Sequence, residues 1–120
     1  MAFLLFLTCI CMFCASSNCA NLSPKLTEIV PKRSQDVGTK LKLFCYIQQG
    51  TKPFSIKWLK NIQPLSSDSV KYRIETSEEE SHLMIVDLNQ SDAATYSCIA
   101  RNAFGEDTQS TVLTVKGLVS

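Results

Sequence analysis

The chain has 120 residues, with 12 Lys and Arg against 11 Asp and Glu, a formal net charge of +1, and 45% hydrophobic residues. A balance this close to neutral implies neither nucleic acid nor an anionic membrane as a partner. Beyond an apolar amino terminus, roughly 100 residues remain, enough for one domain and not two.

In chain order, Ala2 to Ala15 carry no charge and include Phe3, Leu4, Leu5, Phe6, Leu7, Ile10, Met12 and Phe13. The run is shorter than the roughly 20 residues a bilayer span needs, and small residues follow it at Ser16, Ser17, Cys19 and Ala20. It reads as a secretory signal over residues 1–19, cleaved after Cys19 or Ala20; the alternative is a short uncleaved anchor, since the usual basic segment ahead of it is missing. Residues 20–24 form a short lead-in, 25–116 the domain and 117–120 a tail. With neither a second apolar span nor a lipid-anchor tail in the remainder, the expected localisation is secreted, or at the cell surface if the chain belongs to a longer receptor.

The leader takes Cys9, Cys11, Cys14 and Cys19 with it, so only Cys45 and Cys98 remain, and two cysteines in an oxidising compartment imply one bridge. Closing the loop from 45 to 98 is worth on the order of 4 kcal/mol in the chain-entropy model. A metal site is not expected, because His82 is the only histidine and no second cysteine pair is left. No cofactor is implied.

Lys25 to Val30 reads as an extended edge strand that breaks or switches sheets at Pro31. Lys40 to Gln48 alternates Leu41, Leu43, Cys45 and Ile47 against Lys40, Lys42, Phe44 and Tyr46, so an inward Cys45 turns Phe44 and Tyr46 outward. Gly50 to Pro53 is turn chemistry, and Phe54 to Lys60 then directs Phe54, Ile56 and Trp58 inward. After Asn61 the following Ile62 disfavours a two-residue turn with positive φ. Val70 to Thr76 sends Tyr72 and Ile74 inward. Glu78, Glu79 and Glu80 cap the next hairpin; a calcium reading of this triplet is outweighed by simple solvation.

His82 to Leu88 gives Leu83, Ile85 and Leu88 to the core and His82, Met84 and Val86 to the outside. Ala94 to Asn102 carries Tyr96 two residues before Cys98, the mark of a tyrosine corner, and Asp107 to Val115 points Thr111, Leu113 and Val115 inward. Seven or so short strands with turns between them and no helical period predict an all-β, two-sheet sandwich. An enzyme is not expected: no nucleophile stands beside a histidine in a catalytic pattern, and both remaining cysteines are spent in the bridge.

The frame of Cys45, Trp58, Asp92, Tyr96 and Cys98, with Leu83, resembles the immunoglobulin superfamily. Finer features resemble its I-set branch: Gly50-Thr-Lys-Pro53, Ile56-Lys-Trp58-Leu-Lys60-Asn61, Asp92-Ala-Ala-Thr-Tyr96-Ser-Cys98 and Ala100-Arg-Asn102-Ala-Phe-Gly105. The resemblance implies an immunoglobulin-like Greek-key sandwich with Trp58 packed on an inter-sheet disulfide. The branch often pairs an arginine early in its fourth main strand with the corner aspartate. Val70 stands there, leaving Lys71 or Arg73 as substitutes for pairing with Asp92.

Within that branch the chain looks most like modules of Down syndrome cell adhesion molecules, which implies cell adhesion or self-recognition by pairing of like domains. The partner expected is therefore a protein, including a second copy of this chain, and not a small-molecule substrate. The alternatives are a secreted immune or decoy factor, a fragment of a larger multi-domain receptor, and a muscle-type scaffold module. Phe44, Tyr46, Met84 and Val86 form the candidate binding face, framed by Lys42, Lys71, Arg73, Glu75 and His82. Asn89-Gln-Ser91 is the expected glycan acceptor.

Overall fold

The computed structural model describes residues 21–67 and 69–117; the stretch expected to be a secretory signal, residues 1–19, lies outside them, as do Ala20, Asp68 and residues 118–120. Its strands are β1 (Lys25–Leu26), β2 (Lys32–Asp36), β3 (Leu41–Gln49), β4 (Ser55–Lys60), β5 (Gln63–Pro64), β6 (Tyr72–Thr76), β7 (Glu80–Ile85), β8 (Ala94–Asn102) and β9 (Gly105–Lys116). They form a four-stranded sheet ordered β1-β3-β7-β6 and a five-stranded sheet ordered β2-β9-β8-β4-β5.

The period-two pattern explains β3. Leu41, Leu43, Cys45 and Ile47 are buried and the residues between them are exposed. From the opposite sheet, Trp58, Tyr96, Cys98, Ala100 and Leu113 meet them, and Leu83, Ile85 and Leu88 complete the core. Burying each large apolar side chain contributes about 1.5–3 kcal/mol. The Cys45–Cys98 disulfide joins the two sheets.

Buried polar groups are tied across the same core. Trp58 Nε1 donates to Ser81 Oγ at 2.9 Å, and Ser81 Oγ also lies 2.8 Å from Thr76 Oγ1. One indole N–H, otherwise an orphan, is thus satisfied by the facing sheet. Tyr96 donates its hydroxyl hydrogen to the carbonyl of Asp92 at 2.6 Å. Burial, with smaller contributions from Tyr72 and Asp92, holds the Tyr96 phenol well above its ordinary pKa.

Several sequence expectations are corrected. The first strand is two residues long; the chain then crosses over, and Lys32–Asp36, not foreseen as a strand, pairs in parallel with β9. Asp107 Oδ2 and Gln109 Oε1 catch the backbone N–H groups of Leu26 and Ile29 during the crossing, at 2.8 and 3.2 Å. The connection after β4 is a two-residue turn after all, because Lys60 pairs with Gln63 and Asn61 alone adopts φ 56° while Ile62 does not. Asparagine tolerates that conformation without glycine behind it. The strand expected from Val70 begins at Tyr72, and Val70 is 97% exposed.

Candidate interaction face

The outer face of the β1-β3-β7-β6 sheet is built by the register of three strands. Lys42 lies opposite Met84, Phe44 opposite His82, and Tyr46 opposite Glu80; on the other side of β7, Arg73 is opposite Met84 and Glu75 opposite His82. The face therefore reads as rows across the strands: Lys42, Met84, Arg73; then Phe44, His82, Glu75; then Tyr46, Glu80.

Phe44 is 56% and Tyr46 46% exposed, whereas Met84 and Val86 are half-buried. The register sets Met84 diagonally next to Phe44 and leaves Tyr46 opposite Glu80, two rows from Met84, so the exposed aromatics lie along β3 with Met84 beside only one of them. Phe44 packs edge-on against His82, with ring centroids 4.6 Å apart and planes at 63°, and the Lys42 ammonium sits 5.5 Å from the Phe44 centroid. These cation and edge contacts hold an exposed ring in place on the face.

Charge is graded along the strands. Lys42 and Arg73 occupy one end; Glu80 occupies the other, continued by Glu78 and Glu79 at the hairpin. His82 Nε2 lies 3.9 Å from Glu80 Oε2. Lys52 bridges Glu78 at 3.2 Å and Glu79 at 2.9 Å, and hydrogen bonding to Glu79, then to Glu78, raises its pKa.

The remaining singled-out residues serve the fold. Asp92 is 2% exposed, and its Oδ2 takes both the Lys71 ammonium at 2.6 Å and the Asn89 N–H at 2.8 Å. Of the two substitutes for the missing arginine, Lys71 is the one that pairs. Asn89 caps the short 3₁₀ turn Gln90–Asp92, its Oδ1 accepting from the N–H of Ser91 at 2.9 Å. Sequence reasoning passed over Ser81, which is buried and which no motif marks, whereas Thr111 is inward as the alternation of the last strand requires. Among the described residues no group of three or more His, Cys, Asp or Glu is arranged to hold a metal, and no helix is long and apolar enough to cross a membrane.

The family model described as "Immunoglobulin I-set domain" matches residues 24–115. Among curated relatives, the Muscle M-line assembly protein unc-89 of Caenorhabditis elegans is 30% identical over 101 residues, covering 84% of this chain and 1% of its own. Hemicentin-1 of Homo sapiens is 34% identical over 88 residues, covering 72% and 2%. Myosin-binding protein H of Rattus norvegicus is 32% identical over 93 residues, covering 78% and 19%. The chain thus spans a small part of each.

Among solved structures, the titin I-band fragment I67-I69 superposes with a TM-score of 0.73 at 27% identity, covering 78% of this chain and 33% of that one. The complex of titin M10 with an obscurin-like 1 Ig domain gives 0.72 at 25%, covering 83% and 100%. The Dscam1 Ig7 domain gives 0.74 at 24%, covering 81% and 100%, and shares the fold. The expectation of a secreted or cell-surface product is corrected by these findings. A muscle M-line assembly protein, a myosin-binding protein and titin are among the similar proteins, against that expectation.

Proposed function

The chain belongs to the immunoglobulin I-set family, whose model spans residues 24–115, and from that premise we propose that it is a recognition module pairing with a second immunoglobulin-like domain. The observation that carries this reading is the outer face of the β1-β3-β7-β6 sheet, where Phe44 and Tyr46 stand exposed on one strand. Two aromatics framed by charge have the composition of an interface centre with its rim.

The charge grading favours a second copy as the partner. About a twofold axis running across the strands at the level of Phe44 and His82, the basic end of one face lies over the acidic end of the other. Lys42 and Arg73 of each copy then meet Glu80 and Glu78 of its mate. Such an isologous contact is self-complementary without any further residue. The titin M10 complex with an obscurin-like 1 Ig domain supports pairing between modules of this kind. Homophilic adhesion and scaffold assembly would both use such a contact, and the muscle M-line assembly relative favours the second setting.

Catalysis has no place in this reading, since Cys45 and Cys98 are joined and His82 packs on Phe44. The test is sedimentation over a concentration series of wild type and a Phe44→Ser, Met84→Ser double variant, both confirmed as folded. Association of wild type that the variant loses supports the face. A monomeric wild type at high concentration contradicts self-pairing, and equal association of both moves the contact elsewhere.

A further inference from the structure

We infer that the loop end of the sandwich contains a backbone clamp whose occupant is the chain's own segment Asn21–Pro24, and that Asn102 closes it. This site is distinct from the sheet face above and does not depend on it.

The segment precedes β1 and has no strand partner, yet its polar backbone is fully engaged at Leu22. The Leu22 N–H donates to Thr51 Oγ1 at 2.9 Å, and the Leu22 carbonyl accepts from the Thr51 N–H at 3.0 Å. That carbonyl also accepts from Asn102 Nδ2 at 2.7 Å. The same Asn102 nitrogen donates to the Thr51 carbonyl at 2.9 Å, while Asn102 Oδ1 accepts from the Phe104 N–H at 2.8 Å. One side chain thereby joins three segments distant in sequence: the strap, the loop after β3 and the turn between β8 and β9.

The floor of the clamp is glycine because the strap lies against it. At Gly50, φ is +141°, and a Cβ would come within 2.9 Å of the Pro24 Cα and of the Phe54 ring. At Gly105 a Cβ would come within 2.9 Å of the Ser23 Cβ. Two glycines, one in the loop after β3 and one opening β9, thus clear space for one extended segment. Pro24 is itself buried by this contact.

Four hydrogen bonds at Leu22, Thr51 and Asn102 give this segment a defined path over the domain's loop end, where an untied terminus would ordinarily fray. A unit joined ahead of Asn21 would be held in direction rather than left to swivel, and its displacement would reach the loop after β3 and the β8–β9 turn first.

Hydrogen exchange on the full chain separates this role from ordinary stability. Asn102→Asp keeps the acceptor for Phe104 and removes both donations, placing a carboxylate against the Leu22 and Thr51 carbonyls. The expected result is a roughly tenfold or greater loss of protection at the Leu22 and Thr51 amides, with Phe104, Trp58 and Cys98 unchanged. Gly50→Ala should give the same pattern by displacing Pro24. Wild-type protection at Thr51 in both variants, or an equal loss at Trp58 and Cys98, overturns the clamp.

Discussion

Lys71 Nζ lies 2.6 Å from Asp92 Oδ2, and the carboxylate it meets is 2% exposed whereas the lysine side chain is 28% exposed. The ammonium also donates to the Asp87 carbonyl at 2.8 Å. One lysine thus compensates a buried charge and fixes the tight bend at Asp87, whose φ is 50°.

Lys71→Met should therefore be costly, because it leaves the Asp92 carboxylate with the Asn89 N–H but no countercharge. Removing one partner of a buried pair costs about 3–5 kcal/mol; the partial exposure of Lys71 places the expected loss near the lower end. Asp92→Asn with Lys71→Met should recover part of it, measured by urea denaturation of the single and double variants.

Thr111→Val should leave stability unchanged or raise it. Thr111 is 1% exposed, and among the described residues its hydroxyl has no hydrogen-bond partner. An unsatisfied buried hydroxyl costs about 1–3 kcal/mol, and valine has nearly the same shape without it. The readout is the thermal midpoint, and a fall of several degrees would show that the hydroxyl is satisfied after all.

Cys45→Ala with Cys98→Ala removes a bridge across a sequence separation of 53. Chain entropy alone assigns it about 4 kcal/mol, a large share of a domain's roughly 5–15 kcal/mol. Denaturant titration of the double variant should show a midpoint far below that of wild type, and a shift under about 1 kcal/mol would contradict the estimate.

Alkaline pH should destabilise the domain, chiefly through the buried Tyr96 phenol. The Tyr96 pKa is raised by burial first, and Tyr72 is raised in the same direction by the same leading cause. A group that holds its proton more tightly when folded contributes stability fully below the unfolded pKa, here about 10, and loses it as pH rises through the folded value. The loss approaches about 1.4 kcal/mol per pH unit for the buried Tyr96, while the partly covered Tyr72 adds far less because solvent screens it. Tyr96→Phe lacks the hydroxyl bond to Asp92 and should be less stable at neutral pH, yet its stability should fall less steeply above pH 10.

The core was readable from the sequence because alternation identifies the inward set directly: once Cys45 points in, Leu41, Leu43 and Ile47 follow, and Phe44 and Tyr46 must emerge. Lys32–Asp36 escaped because its residues are polar and only partly covered, so no alternation marks it; its pairing with β9 comes from the far end of the chain. The turn at Asn61 was misjudged by weighing Ile62, although asparagine alone takes the positive φ. The rows of the outer face follow from register between strands, and register is not written in any one strand. The strap at Leu22 is held by Thr51 Oγ1 and Asn102 Nδ2, contacts between segments far apart in the chain that no local pattern marks.

The central claim is that two copies meet face to face with opposite charges apposed, and charge reversal tests it most directly. One variant carries Lys42→Glu and Arg73→Glu, reversing the basic end of the face; the other carries Glu78→Lys and Glu80→Lys, reversing its acidic end. Sedimentation at low ionic strength should show wild type self-associating, each variant alone monomeric, and an equimolar mixture of the two associating again as a heterodimer. A monomeric wild type, or variants that each associate as wild type does, or a mixture that stays monomeric beside an associating wild type, would contradict it.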